Sequence, residues 1–489
     1  MEDNNSRSRH HSLQVTFLAR GWSSSVLHDE TEINKEVAKY MAKSPEVEIT
    51  ILVPRCDDVD KEEAKNYNIN LVEAGEKTGF AEVDWLGWPP KELSMDVVVG
   101  HDIELGRHAS IIKESRSPPC KWFQFVHRSH EDIAKHEENS NPKLTEANHK
   151  LEVQLCKSSD FVVTIGPRLH EAVCFYLRPY REGKHIFDFT PATLADFSGL
   201  EQSQEELKHF RVVCFCSGDL EDFALQGVDI AVKAVAKVTD CHLLFVGAAD
   251  GMQDKTKKRF VEYGINPKFF TIRSAIHTQE RLKEVLLEAD LAILPTREEG
   301  FGLTLLKALS AGLPILVSSN SGLGEALRGL PFGSEFVVSS DDPGTWAKAI
   351  ESIRKKDRCT RLTQSKYLRH SYQERYSWEK QSKTLIRKMI SMKLGNDKDD
   401  HEDHHDDDEE ETENLLTDVP IVTIHVQNFG SRTCKGATAK LVNESPSVNK
   451  EIGANGDSYC DTAAHNPKFP VNPVTEEIPQ NGMNYFIVA

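Results

Sequence analysis

Residues 298 to 302, Glu298-Glu299-Gly300-Phe301-Gly302, follow an apolar run (290–296, DLAILPT) and precede a helical pattern, LTLLKALSAG. Carboxylates on such a turn can accept hydroxyl groups or settle positive charge. Glycines there let a ligand approach the backbone closely. The first amides of the helix that follows, from Leu303 and Thr304 onward, have no partner within the helix, so its N-terminus suits an anion. Two histidines, His101 and His127, end apolar runs of their own (96–101 and 120–127). Ligands of an open parallel sheet bind beyond the carboxyl ends of its strands, which is where these groups fall. Lys307, one turn into the helix, is a donor with no acceptor capacity.

Short apolar runs alternate with amphipathic stretches from residue 13 onward. Runs at 13–19, 46–54, 96–101, 120–127 and 160–166 read as strands, and residues 30–43 read as a helix. The pattern pauses across 188–207 and restarts with six more runs, at 211–216, 242–248, 269–274, 290–296, 313–319 and 335–340. Continuous apolar strands alternating with helices predict βαβ units and parallel sheets. Two such units joined by a linker predict two Rossmann-like domains facing each other across a cleft.

The chain has 489 residues and a formal charge of −18, of which a net −11 lies between Asp397 and Glu413. No basic stripe marks a nucleic-acid surface, and no apolar run reaches the roughly 18 residues of a membrane span. The polar N-terminus has no apolar signal core. Ten scattered cysteines read as reduced, buried thiols in a cytoplasmic protein. The acidic run holds His401, His404 and His405 and reads as a disordered spacer, with no metal site expected.

Residues 299–318, EGFGLTLLKALSAGLPILVS, resemble the signature of the retaining glycosyltransferases of family four, the glycosyl transferases group one. The resemblance extends over roughly residues 13 to 390. It implies the GT-B fold, an α/β architecture of two Rossmann-like domains, here with an acidic tail. The expected organisation is a disordered N-terminus (1–12), an acceptor-side domain (13–187), a linker (188–207), a nucleotide-sugar domain (208–370), a closing helix that returns to the first domain (371–392) and the largely disordered tail (393–489).

The resemblance also implies transfer of a sugar from a nucleoside diphosphate donor, without a metal or other cofactor, to a glycan or small-molecule acceptor. It assigns Glu299 and His127 to the reacting sugar. Gly300, Phe301, Gly302, Leu303, Thr304 and Arg273 fall to the donor, and His101 is a further sugar contact. Several positions depart from the family pattern. The basic pair expected on the diphosphate aligns with Ser217 and Gln226, and no Arg or Lys occurs between Val212 and Gly227. The carboxylate expected on the ribose hydroxyls aligns with Lys307. The Gly-Gly turn common after the first strand is reduced to Gly21. Three functions stay open: a working retaining transferase, an inactive sugar-nucleotide or glycan-binding module, and a scaffold whose acidic tail meets an unknown protein partner.

Overall fold

The computed structural model describes residues 12–22, 29–129, 142–180, 186–216 and 223–395, together with three short strands between Val422 and Phe486. Residues 1–11, Ser217 and the acidic run 397–413 lie outside the described residues, and so do the expectations attached to them.

Two all-parallel sheets carry the first unit of the chain, Met1–Lys398. The first has the order β3-β2-β1-β4-β5-β6-β7, formed by Ile69–Glu73, Val47–Val53, Leu13–Leu18, Val97–His101, Lys121–Val126, Phe161–Ile165 and Ile186–Phe189. The second has the order β10-β9-β8-β11-β12-β13, formed by Phe270–Ser274, Cys241–Ala248, Phe210–Phe215, Leu291–Leu294, Ile315–Ser318 and Val337–Val338. Helices cover both sheets, so central strands are buried on both faces. That is why they read as unbroken apolar runs rather than alternating ones.

The predicted central strands match to within a residue or two. Two edge strands, β3 (INLVE) and β7 (IFDF), escape the pattern because they are short and half-polar. The run 335–340 keeps only Val337–Val338 in the sheet, its first part being a 3-10 turn, Gly333–Phe336. The cysteines at 120, 156, 214, 216 and 241 are buried thiols, and burial lifts Cys214 to about 12, whereas Cys56 and Cys174 are half-buried and Cys359 is exposed, contrary to the expectation of buried thiols throughout.

The end of this unit contains two helices, Arg358–Arg375 and Trp378–Leu394. Ser377 separates them and caps the second, its hydroxyl accepting the Lys380 amide. The last helix packs on Asp29–Met41 of the first sheet, and Trp378 stacks on Tyr40 at 6.0 Å between ring centroids. The segment joining the sheets is clamped alongside: Gln381 bonds both the amide and the carbonyl of Thr190, and the Tyr372 hydroxyl donates to the Pro191 carbonyl. One continuous apolar cluster runs through residues of both sheets, including Phe197, Phe301 and Trp378.

In the separate unit Asp399–Ala489, β14 (Val422–Thr423) pairs parallel with β16 (Met483–Phe486), and β16 pairs antiparallel with β15 (Glu477–Gln480). β14 lies within the apolar stretch VPIVTIHVQNF (419–429), whereas the β15–β16 hairpin carries no comparable pattern.

Candidate active site

The loop from β11 to the helix Leu303–Ser310 is shaped by its own backbone. Gly302 caps the helix in the left-handed region, φ +93°, with the Leu294 side chain 3.0 Å from where a Cβ would stand. The Gly300 and Phe301 carbonyls accept the amides of Gly322 and Leu323, and the Glu299 amide donates to the Asn320 carbonyl. The turn is thereby bound to the start of the helix Gly322–Arg328. Leu303 is buried and Thr304 half-buried at the head of their helix.

This turn rests against the first sheet. A side chain on Gly300 would meet the His127 carbonyl at 2.4 Å, and one on Gly166 would meet the Phe301 ring at 2.8 Å. Glu299, Gly300, Phe301 and His127 are thus brought into one place from two sheets. His101 joins them, its Nδ1 lying 2.9 Å from Nε2 of His127. Burial holds both imidazoles far below their ordinary range, His127 at about 3, so they form a neutral pair in which one ring donates and the other accepts.

Asp102, next to His101, fixes this corner. It sits at φ +46°, which costs an L-residue about 1–2 kcal/mol, and three contacts hold it there. Gln124 donates to its carbonyl at 2.6 Å, the His127 amide to Oδ1 at 2.8 Å, and Nε of Arg128 to Oδ2 at 3.3 Å. Glu30, at the start of the helix Asp29–Met41, stands close enough for its charge to be felt. Burial, then the charge of Asp102, raises its carboxyl to about 7.

Two ion pairs span the sheets. Arg168, at the N-terminus of the helix Pro167–Leu177, binds Glu298 through both Nη groups, at 2.7 and 2.6 Å, and also donates to the Asn320 carbonyl at 3.1 Å. Lys307 is fully buried, and its Nζ meets the carboxylate of Glu32 from the helix Asp29–Met41. The position expected to hold a ribose carboxylate therefore holds the cationic half of a bridge to the opposite sheet.

Two candidates remain, Gln226 and Arg273. Gln226 is in the turn after β8, whose neighbours are tied to the β11 loop. The Leu225 carbonyl accepts the Arg297 amide, and the Arg297 guanidinium holds Asp229. Arg273 turns its side chain to Glu288, with Nη2 at 2.6 Å, and Arg211 from the start of β8 donates to the Glu288 carbonyl. Its guanidinium is thus directed along the sheet toward the beginning of β8, away from the turn at Gly300. Sequence reasoning passed over Asp102 and Arg128, although each follows a strand-end histidine and the same strand-end rule reaches them. Glu32 and Arg168 leave no such signal, since their partners are 275 and 130 positions away.

Comparison with known proteins gives concordant likenesses. A family profile described as the family 4 glycosyltransferase in conflict systems matches residues 31–385. A D-inositol 3-phosphate glycosyltransferase of Mycobacterium sp. (strain KMS) is 30% identical over 133 residues, 26% of this chain and 29% of that protein. An uncharacterized glycosyltransferase of Methanocaldococcus jannaschii is 26% identical over 195 residues, 38% of this chain and 48% of that protein. The chain thus spans less than half the length of these two relatives. Among solved structures, sucrose-phosphate synthase from Thermosynechococcus elongatus superposes with a TM-score of 0.63 at 16% identity, over 78% of this chain and 100% of that one. Anabaena HepE in complex with UDP-glucose superposes with a TM-score of 0.58 at 13% identity, over 78% and 100%. At such identities the likeness establishes the fold, GT-B.

Proposed function

The chain belongs to the family 4 glycosyltransferases of conflict systems, and from that premise we propose that it keeps the sugar end of the cleft and has given up transfer from a nucleoside diphosphate donor. The observation that carries this reading is the buried pair of Lys307 and Glu32. By resemblance, position 307 should accept hydrogen bonds from the ribose. An ammonium accepts none, and breaking a buried pair to make room costs about 3–5 kcal/mol. The run from Val213 to Gln226, without Arg or Lys, supports the same reading, because a diphosphate leaving group needs fixed positive charge or aimed amides. The sugar end, by contrast, keeps Glu299, the turn through Gly302 and His127. In this reading no metal is required and the location is cytoplasmic. Among the described residues no helix is long and apolar enough to cross a membrane.

The test is a calorimetric titration of the full-length protein with UDP-, GDP- and ADP-glucose, alongside an assay for release of the nucleotide. The expected outcome is no release above buffer and weak or no heat of nucleotide binding. The placement of Glu299 beside His127 favours a second reading, a working retaining hexosyltransferase. Sustained release of nucleotide from any of the three donors establishes that reading in place of the first.

A further inference from the structure

Most cations around the cleft are consumed by carboxylates. Arg168 gives both Nη groups to Glu298, Arg297 gives both to Asp229, and Lys307 is buried on Glu32. Arg128 is held differently. Asp102 takes it through Nε at 3.3 Å, and among the described residues no carboxylate or carbonyl takes Nη1 or Nη2, while 47% of the side chain stays exposed. The anchor is rigid, because the same carboxylate accepts the His127 amide. The Arg128 Cβ stands 3.8 Å from where a side chain on Gly300 would begin, so the residue emerges beside the glycine turn and next to His127. A guanidinium held at Nε, about half exposed, keeps the planar fork that matches two oxygens of a phosphate.

We propose that Arg128 is the phosphate ligand of this cleft, acting from the first sheet, and that the molecule bound is a phosphate ester of a sugar. The proposal rests on the reading that the sugar end is retained. The carboxylates near the guanidinium, Asp102, Glu30 and Glu299, divide the work. Asp102 orients the guanidinium. Glu30, whose carboxyl burial raises, stands near the same guanidinium. Glu299 accepts from a sugar hydroxyl.

The phosphate could belong to a hexose phosphate or to a nucleoside diphosphate sugar, and the experiment separates the two. Full-length protein is titrated calorimetrically with glucose, inorganic phosphate, glucose 1-phosphate, glucose 6-phosphate and UDP-glucose at one ionic strength. The proteins are wild type, Arg128→Gln, Arg128→Lys and the control Arg55→Gln, which removes an exposed arginine paired with Glu82; thermal melts verify folding. The expected result is a phosphorylated ligand that binds wild type at least tenfold tighter than glucose. Its affinity falls tenfold or more in Arg128→Gln, recovers in part in Arg128→Lys and is unchanged in Arg55→Gln. Equal affinity for wild type and Arg128→Gln overturns the proposal, as does the failure of every phosphorylated ligand to bind folded wild type. Turnover of UDP-glucose overturns the functional reading instead, and the role of Arg128 is then decided by whether Arg128→Gln weakens UDP-glucose binding.

Discussion

The neutral imidazoles of His101 and His127 make the cleft sensitive to acid in a direction that can be worked out. In the unfolded chain a histidine takes up a proton near pH 6.5, whereas the folded state holds His127 at about 3 and His101 well below its ordinary value. Between those limits the unfolded state binds more protons, so stability is fully present above pH 6.5 and declines as pH falls. Melting curves from pH 7 to pH 4 should show a loss of about 3 kcal/mol at most from His127, and His127→Phe should flatten the slope. Glu30 acts in the opposite sense. Its raised carboxyl is harmless at low pH and costs stability as it ionises through about 7, so Glu30→Gln should stabilise the protein more at pH 8 than at pH 5. At Lys307 the charge alone is at issue. Lys307→Glu sets a second carboxylate against Glu32 in a buried place and should cost about 3–5 kcal/mol in urea unfolding; adding Glu32→Lys should recover most of it. Equal stability of the single and double variants would show that the two side chains do not meet. The odd residue at 307 was legible in the sequence, but its meaning was not, because no local spacing connects it to position 32.

Elements owe their placement to a few positions where only one residue type fits. Gly227 precedes the helix Val228–Val235 at φ +67°, and a Cβ there would lie 1.8 Å from the Pro295 carbonyl oxygen. Gly251, at φ +76°, faces open space. Gly251→Ala should therefore cost only the conformational penalty, about 1 kcal/mol, whereas Gly227→Ala should force the loops after β8 and β11 apart and cost more than about 3 kcal/mol. Thermal unfolding of the two variants side by side checks this, and comparable losses would contradict it. The contrast also marks what sequence can convey about elements. Central strands such as β4, VVVGH, were legible because burial on both faces leaves one hydrophobic signal. The edge strands β3 and β7 were not, and the closing helix expected over 371–392 crosses a break at Tyr376-Ser377, because Ser377 caps the second helix without a Gly or Pro to mark it. Buried charge is hidden in the same way. Arg358 and Arg361 open a helix that reads as polar surface, yet both are buried on Asp290 at the foot of β11.

For the whole molecule, the continuous core and the two ion pairs across the sheets predict one cooperative unfolding transition for residues 12–395. Trp378 is central to it, stacked on Tyr40, lying 5.7 Å from Phe189, and donating from Nε1 to the Thr193 carbonyl. Trp378→Ala should cost about 3–5 kcal/mol, and calorimetry should show the single transition moved down. A variant in which only one part of the heat shifts would mean that the sheets unfold independently. The two-sheet plan was legible from the paired runs of strands and the pause between them, and the sugar end of the site from one signature. What occupies the nucleoside end was not, since it depends on a meeting between distant halves. That meeting limits how the gene can be recombined. Joining the first half of this protein to the second half of a relative with glutamate at the position of Lys307 would bury Glu32 against a like charge, while the reciprocal hybrid would strand Lys307 wherever the relative lacks an acid at position 32. The halves are thus matched parts, and hybrids of this protein should fold only when residues 32 and 307 are carried over together.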